Sequence, residues 1–178
     1  MQGRRLYDAI ESLGVSAVSL RVFRHISEGR DCLSGEGARR FGGRWNPPGT
    51  FPTLYTSLSL EGAIAELDRL MRRQRRTTQE LLPRRICEIG TRLTNVLDLT
   101  HLDSLAAVGL STAGLRRNNL GPCQRAGQAA HQLGVEALLV PSATRVANNL
   151  VIFPANVRPD SSLTVSRTYS WPADRPPA

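Results

Sequence analysis

Gly42-Gly43-Arg44-Trp45-Asn46-Pro47-Pro48-Gly49 packs glycines and prolines around one arginine, one tryptophan and one asparagine. Glycine lets a ligand come close to the backbone, and arginine presents a planar fork that suits phosphate. The residues alone leave two readings open. The stretch is a binding loop, or it is a structural loop in which Trp45 plugs a core.

Working outward, residues 27–49 are rich in glycine, arginine and proline and read as one long loop. Loops of that length inside a domain are often functional. Val18, Leu20 and Val22 alternate and predict a strand before it, and residues 54–57 predict a short strand after it. Residues 60–76 form the clearest helix, with Leu60, Ile64, Leu67 and Met71 on one stripe. Ser59 is its N-cap, and Glu61 suits the dipole of the first turn. Upstream, Leu6, Ile10, Leu13 and Val15 predict a short helix ending near Gly14. Beyond Pro83, strands are expected at 86–89, 96–99, 135–140, 150–153 and 163–165, with a helix at 124–132. Residues 171–178 carry three prolines and no periodicity, which predicts a disordered tail. The pattern is α+β: a single compact domain with a mixed β core and flanking helices.

With 178 residues, 40% hydrophobic and 21% charged, the chain is long enough for one domain with a real core. No apolar run approaches the ~20 residues that span a bilayer. No secretory signal pattern opens the chain, so a cytoplasmic protein is expected. Cys32, Cys87 and Cys123 are odd in number and lack metal-site spacing, so three reduced thiols and no metal are expected. The net charge is +8, with arginine as every basic residue. Such a surface fits nucleic acid, an acidic partner or a phosphorylated small molecule. The run Arg69, Arg72, Arg73, Arg75, Arg76 reads as a solvated helix end, or as a contact for a partner or nucleic acid.

Two further residues stand out. Glu66 lies off the apolar stripe of its helix, on a face shared with Ser59, Gly62, Ala63 and Leu70. Small neighbours leave room for something to sit over the carboxylate; a solvated helix glutamate is the plainer reading. Ser142 follows the most apolar strand, where serine is often a turn residue. No Gly-x-Ser-x-Gly elbow surrounds it. His25, His101 and His131 form no metal spacing and no triad.

Taken in order, the segments 33–38, 42–46, 54–57 and 63–66 resemble the RES domain, the toxin half of many bacterial toxin–antitoxin pairs. Gln124 and Gly127, the segment 140–143, and Asn149-Leu150 extend the resemblance to residues 20–158. Arg44, Tyr55 and Glu66 fall eleven residues apart in turn. The family often has Asn-Pro where this chain has Phe153-Pro154. The resemblance implies a fold like that of ADP-ribosylating toxins, a RES domain over 17–170 behind a helical lead-in at 1–16, and NAD as substrate. It implies cleavage of the nicotinamide–ribose bond with water or inorganic phosphate as acceptor, or transfer of ADP-ribose to a protein from the same pocket. It places the working residues at Arg24, Arg44, Tyr55, Glu66 and Ser142, with Arg21 an alternative to Arg24. By that resemblance Glu66 stabilises the ribosyl cation, Arg24 and Arg44 grip the pyrophosphate, Tyr55 stacks on nicotinamide, and Ser142 orients Glu66 or a ribose hydroxyl. It also implies an Xre-like helix-turn-helix antitoxin as partner. A homodimer is compatible with it, and neither a membrane nor direct nucleic-acid contact is expected. A basic nucleic-acid-binding protein is the competing reading; the 5% aromatic content and the lack of a reading motif weigh against it.

Overall fold

The computed structural model describes residues 2–74 and 77–171. Of the tail expected to be disordered, 171–178, Trp171 instead ends the last strand, and residues 172–178 lie outside the described residues. In chain order the elements are α1 (Gln2–Leu13), β1 (Ser16–Ser27), α2 (Glu36–Phe41), β2 (Leu54–Ser57), α3 (Leu60–Gln74), α4 (Thr78–Leu81), β3 (Arg84–Asp98), α5 (Leu102–Ala107), α6 (Gly121–Gln132), β4 (Ala137–Pro141), β5 (Asn148–Ile152) and β6 (Ser162–Trp171). The class is α+β, as the sequence predicts.

The sheet runs β1-β2-β5-β4-β3-β6, and β1 also pairs with β3. That extra pairing closes five strands into a ring, with β6 added on the far edge of β3. Neighbours are antiparallel except β3 and β4, which are parallel over Val96–Asp98. Alternation along the strands divides the apolar residues between two cores. Val22, Leu54, Ile89, Leu93, Leu150 and Ile152 fill the ring interior. On the other face, Leu97, Leu138, Val151 and Phe153 meet Ile10 of α1, Leu105 of α5 and Ala130 of α6.

Several elements differ from the sequence expectation for physical reasons. The strands expected at 86–89 and 96–99 are one strand, β3. Gly90-Thr91-Arg92 looks like a break, but Thr91 pairs with Leu20 on one side and Leu163 on the other. Tertiary pairing overrides the weak local preference. The long loop contains α2, which buries none of its own residues and is braced by an Arg39–Glu36 pair at 2.7 Å. On α3, Leu67 is buried while Leu60, Ile64 and Met71 are only half-buried. The face that packs inward is the small one, Gly62 and Ala63.

The expectation of three reduced thiols fails for two of them. Cys32 and Cys87 form a disulfide, and only Cys123 is free, buried in the α6 core. Cys87 lies opposite Arg24 in the β1–β3 register, and the loop after β1 folds back over it. Spacing along the chain does not report that proximity. Closing a loop of 55 residues stabilises the fold by about 4 kcal/mol through lost chain entropy. Phe153 is fully buried and packs edge-on against Phe51 and His131, which stack at 3.9 Å. Among the described residues no helix is long and apolar enough to cross a membrane.

Candidate active site

A cleft of about 500 Å³ opens between β1, β2, α2, α3 and the loop after α2. Arg24, Arg44, Tyr55 and Glu66 all line it; Ser142 stands directly behind Glu66. Four arginines, Arg24, Arg44, Arg69 and Arg84, face one glutamate, Glu66, and no aspartate. This is a cationic cleft with one placed negative charge.

Glu66 reaches the cleft because α3 packs closely on β2. The Ser59 hydroxyl caps the helix, accepting the Gly62 N–H at 3.0 Å. A Cβ at Gly62 would stand 2.1 Å from the Ser57 Oγ and 3.0 Å from the Ala147 Cβ, so a side chain there would force Ser57 to turn and its neighbours to give way. One turn on, Glu66 Oε1 accepts hydrogen bonds from the Ser142 hydroxyl at 2.8 Å and the Asn149 Nδ2 at 3.0 Å. Its second oxygen lies 4.0 Å from Arg69 Nη1. Ser142 in turn accepts the Thr144 N–H at 3.0 Å and pairs with the Thr144 hydroxyl at 2.7 Å. Ser142 is 8% exposed and lines a second hollow instead of the cleft. Its contact is with Glu66, through the hydrogen bond at 2.8 Å. Asn149 is the residue that sequence reasoning assigned no role: at the start of β5, it reads as an ordinary strand entry.

Tyr55 holds the loop that carries Arg44. Its hydroxyl accepts the Trp45 N–H at 2.8 Å and donates to Asn46 Oδ1 at 2.7 Å. Burial pushes the phenol pKa well above its ordinary value, against the lowering effect of the Trp45 and Asn46 backbone N–H groups. Asn46 is fully buried and ties back to Ala38 O at 2.7 Å. Trp45 is 2% exposed in the core beside α6. Trp45 plugs the core, and Arg44 lines the cleft. From α6, Gln124 Nε2 donates to Gly43 O at 2.9 Å. Arg44 makes long contacts, 3.4 and 3.5 Å, to Arg117 O, and its side chain also meets the Cys123 thiol.

Arg24, not Arg21, lines the cleft. Arg21 is 71% exposed and faces Glu88 at 3.7 Å. Arg24 Nη1 donates to Cys32 O at 2.8 Å and Ser34 O at 3.2 Å. Desolvation lowers its pKa to about 10; Asp31 opposes this and Arg84 adds to it. Of the basic run on α3, Arg69 lines the cleft and Arg72 is exposed. The side chains of Arg73, Arg75 and Arg76 lie outside the described residues.

The cleft also gathers unsatisfied polar atoms. Arg24 Nε, Thr53 Oγ1, Ser57 Oγ, Arg84 Nε and Asn149 Oδ1 are buried without a hydrogen-bond partner. Among the described residues only His131 Nε2, elsewhere, shares that state. Each such atom costs about 1–3 kcal/mol unless a ligand or solvent meets it.

The RES domain matches residues 20–174 of this chain. The NAD(+) phosphorylases MbcT of Mycobacterium tuberculosis and Mycobacterium bovis are 35% identical over 156 residues, covering 86% of this chain and 84% of theirs. A solved structure of the Mycobacterium tuberculosis MbcT–MbcA toxin–antitoxin complex contains a similar chain: the TM-score is 0.87 at 32% identity, covering 96% of this chain and 93% of that one. On the match along its length, the ring-closed α+β fold and the order of its segments, this chain belongs to the RES-domain family.

Proposed function

We propose that this chain is the toxin of a toxin–antitoxin pair and destroys NAD by phosphorolysis of its nicotinamide–ribose bond. The single observation that carries this reading is the Glu66 carboxylate, oriented by Ser142 and Asn149 on the wall of a cleft with four arginines. The similarity to the MbcT phosphorylases supports phosphate over water as acceptor.

The residues suit the reaction. The bond between ribose C1 and the nicotinamide nitrogen breaks with its electron pair leaving on the nitrogen. Nicotinamide departs neutral, so no general acid is needed. The barrier is the positive charge that develops on the ribose. A carboxylate at ~4 Å stabilises it by about 4 kcal/mol at an effective dielectric of 20, nearly three decades in rate. Glu66 takes that role, and its two fixed donors supply preorganisation. Arg24 and Arg44 hold the pyrophosphate through charge-assisted forks. The Tyr55 ring offers an aromatic face to the cationic nicotinamide, while its hydroxyl stays with the loop. Phosphate oxygen then bonds to C1, giving ADP-ribose 1-phosphate. No step calls for a metal.

An active NAD-destroying toxin must be restrained. An Xre-like antitoxin seated on the cleft mouth is the partner we propose; the cationic rim and Phe41, 75% exposed at that rim, support such a seat.

The test is product analysis by chromatography after incubating the freed protein with NAD, with and without inorganic phosphate. Nicotinamide and ADP-ribose 1-phosphate, formed only with phosphate, are expected. Free ADP-ribose in both buffers would convert the reading to hydrolysis, and an ADP-ribosylated protein to transfer. Intact NAD would refute it.

A further inference from the structure

Arg84 has no role in the account above, yet it is an expensive residue. It is 9% exposed, at the start of β3. Among the described residues no carboxylate pairs with it at salt-bridge distance. Its neighbours are neutral or cationic. Nη1 donates to the Ser27 hydroxyl at 3.0 Å. Nη2 lies 2.8 Å from His25 Nδ1, and a guanidinium can only donate, so that nitrogen is unprotonated. His25 is kept neutral by burial first, then by Arg84 and Arg24, with its pKa lowered to about 3. Nε of Arg84 is buried with no partner, as is Nε of Arg24. Both arginines line the cleft. A buried charge is tolerated only when it is paired. Two neighbouring cations with idle donors and one acid, Asp31, which acts on Arg24, are an incomplete arrangement.

We propose that Arg84 and Arg24 form a subsite for a phosphate oxyanion, with Arg84 as its second cation. The Ser27 and His25 contacts hold the Arg84 guanidinium by its two Nη atoms at the cleft wall beside Arg24. The guest is either the pyrophosphate of NAD or the inorganic phosphate that attacks it. That choice rests on the NAD reading above; the subsite itself rests on the buried charges.

The experiment uses the full chain, wild type and the variants Arg84→Met and Arg84→Lys. Ligand-free melting temperature is measured first, then affinity for inorganic phosphate and for ADP-ribose at constant ionic strength. Removing an uncompensated buried cation should leave the Arg84→Met melting temperature equal to or above that of wild type. Its affinity for one of the two probes should fall by about tenfold or more, the loss of a charge-assisted hydrogen bond. Arg84→Lys keeps the charge but loses the fork and should fall between the two. Loss confined to inorganic phosphate marks an acceptor site; loss confined to ADP-ribose marks a pyrophosphate site. Unchanged affinity for both probes in both variants overturns the proposal. An Arg84→Met chain that melts lower or fails to fold overturns it too, because Arg84 would then be holding the strand. Anion binding without any NAD cleavage would refute the NAD reading and leave this subsite standing.

Discussion

Glu66 sits where three elements meet, and each contributes one constraint. Its own helix brings it to the cleft, β5 supplies Asn149, and the loop after β4 supplies Ser142. Both donors reach the same oxygen, Oε1, so they set the carboxylate's rotation and leave Oε2 beside Arg69. Removing one donor should loosen that orientation. Asn149→Leu is expected to lower kcat by one to two decades, about the worth of a hydrogen bond to a charged group. KM for NAD should change little. A fall in NAD affinity with kcat intact would instead make Asn149 a binding residue. Glu66 was legible as a carboxylate among small residues, and Arg44 as a cation among glycines. Asn149 and Arg84 were not, because each stands at a strand end among ordinary strand residues. Only folding gives them a cleft to face.

At the scale of elements, the loop carrying Arg44 is fixed from three sides: Tyr55 on β2, Ala38 on α2 and Gln124 on α6. The approach of α6 depends on one glycine. A Cβ at Gly127 would lie 1.9 Å from the Trp45 carbonyl oxygen, a rigid backbone atom. Gly127→Ala should therefore force α6 and the loop apart. We expect a loss of about 3 kcal/mol, as in overpacked cores, and a melting temperature lower by roughly 10 °C. Calorimetry checks this; an unchanged transition would mean that the loop shifts freely. Periodicity marked α3, α6 and the short strands from sequence. It missed α2, which buries nothing and so has no stripe, and it split β3 where glycine and threonine interrupt the apolar run.

At the scale of the whole molecule, the α+β class was readable from alternating short strands and a few helices. The ring was not, because its closure depends on β1 pairing with both β2 and β3. Neither was the clamp around Glu136, a fully buried acid. Its Oε2 accepts the Thr94 and Asn95 N–H groups, each at 2.7 Å, and its Oε1 accepts that of Arg158 at 2.8 Å. Burial alone would raise its pKa; these donors bring it below the ordinary carboxylate value. From sequence this glutamate looks like any other charge near the start of a strand. The long-range partners that make it structural come from β3 and the segment before β6. The cleft shares that origin: Arg24, Arg44, Tyr55 and Glu66 come from separate segments and meet only when the ring closes.

The central claim is that one fixed carboxylate in a cationic cleft breaks NAD. The most direct measurement compares wild type with Glu66→Gln, following nicotinamide release under saturating phosphate beside NAD affinity and melting temperature. The substitution keeps bulk and removes charge. The account predicts turnover lower by about a thousandfold, with affinity and stability close to wild type. Turnover equal to wild type in the folded variant would contradict it.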